Sequence, residues 1–171
     1  MQQTRQISLF IAIFFWAVIL GGLTYSHIVY YPNYLSHLPE STILVNNKYG
    51  LKEDKFWIII HPLIIVSTAA AFILNWKITE RRKYLLITIY IYVLAMVVTA
   101  IYFYPEVIEF SQSNRTNTVS PKEWHKRGQI WLVFSSIRLF FVYIAFASLL
   151  IAVTRKKLKH KTQTSSNNFS E

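Results

Sequence analysis

The chain has 171 residues, 53% of them hydrophobic and 16% aromatic, with only 4 glycines and a formal net charge of +10. That is more apolar surface than a water-soluble domain of this length can hide. Cysteine is absent, which excludes disulfide staples, thiolate chemistry and cysteine-held iron–sulfur clusters.

Four apolar runs account for the excess, at 7–31, 56–76, 84–104 and 130–153. Each reaches the ~20 residues needed to cross a ~30 Å hydrocarbon layer. Their apolar residues do not keep to one face, which suits lipid on the outside rather than water. The runs predict an all-α integral membrane protein, a four-helix up-down bundle forming a single domain over 1–157. Its helices are expected at 7–31, 56–76, 83–104 and 121–156, followed by a disordered polar tail at 158–171. The first run ends in Tyr30-Tyr31-Pro32 rather than in small residues, so it reads as a retained helix and not a cleaved signal.

The basic residues fall in three places. Arg5 precedes the first run, Lys77, Arg81, Arg82 and Lys83 fill the connection between the second and third, and Arg155, Lys156, Lys157, Lys159 and Lys161 follow the fourth. Under the positive-inside rule these segments lie in the cytoplasm, with both termini, in a multi-pass protein of the inner or plasma membrane. The charge then serves topology and contact with anionic lipid heads, and nucleic acid is not expected as a partner.

Between the helices, Pro32 and Pro39 predict breaks, and Pro105 closes the third helix. Asn114-Arg115-Thr116 has the spacing of a glycosylation acceptor, a pattern common by chance. The fourth helix has a readable start: Ser120 as N-cap, Pro121 at the first helical position and Glu123 completing a capping box. Trp57, Trp124 and Trp131, with Tyr25, Tyr30, Tyr31, Tyr102 and Tyr104, are expected at the membrane interface. Trp16 lies inside the first helix.

Ionisable groups recur near one end of all four helices. His27 precedes the end of the first by about one turn, and His61 follows the start of the second by about one turn. Both lie roughly 6–8 Å below the outer boundary. Glu106 and Glu109 follow the third helix, and His125 comes down with the fourth. Histidines and carboxylates on facing helices build metal and haem sites in bundles, and imidazole also moves protons near neutral pH. His27, His61 and His125 are therefore candidate metal ligands, with Glu106 a fourth. The plain alternative is that each imidazole rests at the headgroup level without a task. His37 and His160 are expected to face solvent.

Arg138 is the sharper anomaly, roughly 12 Å into the hydrocarbon. An uncompensated charge there costs at least ~2.5–3.5 kcal/mol. No acid lies at its depth in the sequence, so snorkelling, backbone carbonyls or an anionic ligand are left to satisfy it. Helical spacing puts Arg127, Trp131, Phe134 and Arg138 on one stripe and His125, Gln129, Leu132 and Ser136 on the opposite one. The arginine stripe is placed inside.

The stretches "GGLTYSHIVYYPNYL", "FWIIIHPLIIVSTAAAFILNW", "RRKYLL", "IYFYPEV" and "WHKRGQIWLVFSSIRLF" together resemble the small four-helix membrane family that includes the anthrone oxygenases. The likeness covers about 21–150. It rests on Gly22, Tyr25, His27 and Pro32, on His61-Pro62 after Phe56-Trp57, on Pro105-Glu106, and on Trp131 with Arg138. Where members of that family carry a glutamate beside the first-helix histidine, this chain has Ser26. The resemblance implies oxidation of an activated phenolic substrate by dioxygen, without a dedicated cofactor.

Two readings result. In the first the chain is a membrane oxidoreductase whose site binds an aromatic or quinone-like molecule, a transition metal or haem. His61 and His27 would act as base or ligands, Arg138 would hold an oxyanion, and Trp131, Tyr25 and Glu106 would line the ligand. In the second it is a non-catalytic lipid-binding protein or a small subunit of a homo- or hetero-oligomeric membrane complex. The polar layer repeated on four helices favours the first; the lack of a complete catalytic motif favours the second.

Overall fold

A computed structural model describes residues 2–115 and 119–155, and among them every regular element is helical. Four helices are long and apolar enough to cross a membrane: α1 (Gln2–Leu35), α2 (Glu53–Asn75), α3 (Thr79–Ser111) and α4 (Pro121–Thr154). α1 packs on α2 and α4, and α3 packs on α2 and α4, so each span touches two others and the four close into a ring. The expected tail at 158–171 and Thr116 of the glycosylation pattern lie outside the described residues.

The first three spans run longer than the expected helices. α1 takes in Gln2–Gln6 at one end and continues through Pro32 at the other; α2 starts at Glu53; α3 continues through Pro105 to Ser111. The two prolines do not break their helices. In each case the turn before the proline widens to a π turn, Ser26–Tyr30 in α1 and Thr99–Phe103 in α3. The N–H of Tyr31 reaches back to the Ser26 carbonyl, and the N–H of Tyr104 to that of Thr99. Each proline then occupies the first turn of a new α-helical segment, where its missing N–H is tolerated. The Ser120 N-cap of α4 is as expected, its hydroxyl accepting from the Glu123 N–H at 3.3 Å, while the reciprocal Glu123 side-chain bond of a capping box is not formed among the described residues.

Two apolar cores stack along the ring. One joins Leu9, Ala12, Trp16 and Ile19 of α1 to Ile60, Ile64 and Ala71 of α2, Leu85 of α3, and Val142, Ala145 and Leu149 of α4. The other gathers Tyr30, Tyr31, Tyr34 and Leu35 with Phe103, Phe110, Trp124 and Trp131. Tyr30, Tyr31, Trp124 and Trp131 are thus buried, which corrects their expected place at the interface. A membrane helix gains little by hiding one apolar residue from another, so such packing reflects close fit rather than escape from solvent. Tyr25 and Tyr104 are exposed.

The end holding the first residues and the 75–79 connection is tied by Arg81, only 6% exposed. Its Nε donates to the Arg155 carbonyl at 2.8 Å, Nη1 to Asn75 Oδ1 at 2.9 Å and Nη2 to Gln6 Oε1 at 2.7 Å. Asn75 in turn donates to the carbonyls of Ala71 and Arg5. One guanidinium thereby fastens the start of α1, the end of α2 and the end of α4.

At the opposite end α1 and α4 meet at Gly128. A Cβ there would stand 3.0 Å from the Leu35 carbonyl oxygen and 3.1 Å from Leu35 Cβ. The obstacle is backbone, which cannot swing aside. Gly128→Val is expected to destabilise the folded state by about 1–3 kcal/mol, read as a lower unfolding midpoint in detergent, with Gly21→Ala, which meets nothing within 4 Å, as the neutral control.

Candidate functional site

The two π turns face the same region, and each opens on a hydroxyl residue that reaches outside its own helix. Such widened turns are frequent where side chains must be re-aimed. The Ser26 hydroxyl donates to Glu53 Oε1 at the start of α2, 2.6 Å away. The Thr99 hydroxyl donates to the Ala95 carbonyl at 2.7 Å and accepts from Arg138 Nη1 at 2.7 Å.

Arg138 faces the bundle interior, as placed. Its Nη2 donates to the Ser135 hydroxyl at 3.0 Å, and the guanidinium lies 4.1 Å from the centroid of Phe103, over the ring face. The three expected means of satisfying it were snorkelling, carbonyls and an anion. The described residues supply instead two hydroxyls and an aromatic face: Ser135 one helical turn back on α4, and Thr99 and Phe103 from α3.

Hydrogen-bond chemistry fixes direction in the chain beyond it. His27 Nδ1 lies 2.7 Å from the Leu23 carbonyl and Nε2 lies 2.9 Å from Ser135 Oγ. A carbonyl only accepts, so Nδ1 carries the proton. In the neutral ring Nε2 is then the acceptor, and Ser135 donates to it while accepting from Arg138. The relay runs Arg138 to Ser135 to His27 to Leu23. Ser135 is fully buried, so its hydroxyl is held by these partners alone.

His61 belongs to the neighbouring side of the same cluster. Its Nδ1 and the Tyr92 hydroxyl are hydrogen-bonded at 2.8 Å, and its ring tilts against Trp57 with centroids 6.0 Å apart. Only Nδ1 has a side-chain partner among the described residues. The Arg138 charge is near enough to bear on both His27 and His61. Tyr31 and Trp57 stand beside the Glu53 carboxylate. Glu53 is the site residue the sequence reading missed: it sits in the run Lys52-Glu53-Asp54-Lys55, which looks like a solvated loop.

Other expected members lie elsewhere. His125 is exposed on the early part of α4, with Nδ1 donating to the Ser36 carbonyl at 3.1 Å. Glu106 is ion-paired with Arg127 at 2.8 Å, and Glu109 shares that arginine at 2.6 Å. Tyr25 is 58% exposed and lines a groove of about 500 Å³ with Gly21, Thr24 and Tyr143 on the outer faces of α1 and α4. Trp131 is 1% exposed and donates from Nε1 to the Phe103 carbonyl at 3.2 Å; it is a packing residue beneath the site. Phe134, expected on the inward stripe, is exposed.

The proposed metal set is corrected. Among the described residues no group of three or more His, Asp or Glu side chains is placed to hold a metal ion. His27 uses both ring nitrogens in the relay, and His125 stands outside the cluster. The residues present do not fit a three-histidine metal centre.

Comparison with known proteins finds no matching family model, no matching curated protein and no matching solved structure. The likeness to the anthrone oxygenase family therefore rests on the motifs alone.

Proposed function

We propose that the chain is a membrane oxidoreductase that acts, without a metal, on a small aromatic molecule bearing an acidic phenol or enol. One observation carries the reading. Among the described residues Arg138, in a membrane-spanning helix, is held only by neutral hydroxyls and an aromatic face. A guanidinium has five N–H donors, and those two bonds leave most of them for an anion. In a low-dielectric site such a charge stabilises a developing oxyanion far better than in water.

His61 is the base in this reading. Tyr92 holds Nδ1, and Nε2 takes the substrate proton. His27 and Ser135 orient Arg138. Dioxygen receives the electrons of the resulting carbanion: one oxygen atom is retained as a new carbonyl and the other leaves as water. Glu53, with Ser26, closes the side of the site toward the α2 start. The four spans alternate in direction as an up-down bundle in the cell membrane. Both termini and the basic connection at 77–83 lie in the cytoplasm, and the site lies toward the opposite face.

The test is oxygen uptake by the purified chain in lipid nanodiscs, with a phenolic anthrone as substrate. Catalysed uptake should fall at least about 100-fold in His61→Ala while Tyr25→Phe is unaffected. Equal rates for the parent and His61→Ala, at equal folded fractions, would refute the assignment.

A further inference from the structure

At the end opposite the site, a groove of about 560 Å³ opens between the start of α1 and the end of α2. Its walls are Thr4 and Arg5 on one side, and Phe72, Ile73, Leu74, Trp76 and Lys77 on the other. The pattern along α2 is graded. Trp76 and Lys77 stand one helical turn beyond Phe72 and Ile73, so the groove is cationic at its mouth and apolar below. Trp76 packs edge-on against Phe72, with centroids 4.9 Å apart, and the Arg82 guanidinium lies over its indole at 4.9 Å. The aromatic thus fastens a third cation beside the mouth.

The charges here lack acid partners. The ion pairs among the described residues are those of Arg127 with Glu106 and Glu109, at the other end. Behind the groove Arg81 is buried against neutral groups only, those of Asn75, Gln6 and the Arg155 carbonyl. Arg5, Lys77, Arg81 and Arg82 outnumber Glu80, the acid of the same connection, and leave net positive charge on one corner, over a short apolar trough. Free phosphate would match the mouth but leave the trough unused. A neutral lipid would match the trough but leave the cations unanswered.

We infer that this groove is a binding site for one anionic phospholipid, its phosphate held between Arg5 and Lys77 and one acyl chain laid along Phe72 and Ile73. Arg82, stacked on Trp76, adds to the field at the headgroup. The site is independent of the oxidoreductase reading and would survive its failure.

Native mass spectrometry of the full chain tests it. The chain is released from micelles containing equal phosphatidylglycerol and phosphatidylcholine. The parent should retain a single phosphatidylglycerol in preference to phosphatidylcholine, and Arg5→Gln/Lys77→Gln should lose that preference by about tenfold. Lys122→Gln/Lys126→Gln should keep it. Excess inorganic phosphate should not displace the lipid. A second readout covers a double variant that fails to fold: acyl-brominated phosphatidylglycerol should quench the parent's indole fluorescence more than its phosphatidylcholine counterpart, and Trp76→Phe should abolish the difference. Equal retention of the two lipids, an unchanged preference in the groove variant, displacement by phosphate, or quenching that persists without Trp76 would each overturn the assignment.

Discussion

Arg138→Leu is expected to fold at least as well as the parent while binding an anionic phenolic ligand about 100-fold more weakly. The two halves follow from the same contacts. Removing the guanidinium strands nothing: Thr99 keeps its bond to the Ala95 carbonyl, and Ser135 keeps donating to His27 Nε2. A charge set in a membrane span is costly, and replacing a buried ion by an apolar residue of similar volume is often neutral or stabilising. Loss of one oxyanion donor, by contrast, typically removes about 10²–10³ in transition-state stabilisation. Arg138→Lys should recover little, because a point ammonium cannot span Thr99 and Ser135 together. Thermal unfolding in detergent and titration with a phenolate read the two effects separately. A midpoint lowered by more than about 5 °C with ligand affinity intact would make Arg138 a strut and end the functional reading.

Trp131→Ala is expected to cost about 3–5 kcal/mol, the largest stability loss of any single change proposed. The indole is edge-on to Tyr31 at 4.7 Å and to Phe103 at 5.5 Å, and it bonds the Phe103 carbonyl. Phe103 is the last residue of the second π turn and the ring under Arg138. Removing the indole therefore empties the core and frees the floor of the site together. Trp131→Phe should recover most of the packing but not the carbonyl bond, so stability returns further than ligand affinity. Denaturant midpoints for the pair decide it: a loss below about 1 kcal/mol in Trp131→Ala would mean that the site end is packed far more loosely than its buried aromatics imply.

The sequence was most legible where one physical demand dominated. Twenty apolar residues in a row mean a span whatever they pack against, and the Ser120-Pro121-Glu123 start of α4 needs only its own neighbours. Prolines misled because their effect depends on the turn behind them: Pro32 and Pro105 break an α-helix but not one that has first widened. The likeness between SHIVYYP and TAIYFYP, a hydroxyl residue five positions before a Tyr-Pro pair, marks both π turns and was there to be read. Burial of Trp124, Trp131, Tyr30 and Tyr31 was not, since an amphipathic ring serves a lipid boundary and a protein interior equally well. His27 and Arg138 were found because polar groups in a span are conspicuous. Ser135 and Glu53 were not, because a serine is ordinary in any helix and a glutamate is ordinary in any loop.

The paired π turns also bear on hydration. Neither Pro32 nor Pro105 has an N–H to return to the turn behind it, and at the same end the Tyr34 hydroxyl and the Trp124 indole N–H are buried without a partner among the described residues. Hydrocarbon offers such groups nothing. Water entering among the helices would supply both the donors and the acceptors they lack, and the two halves of the bundle are then expected to differ in wetness. Amides around 26–35 and 99–107 should exchange with deuterium ahead of those in the dry half around Trp16 and Leu85.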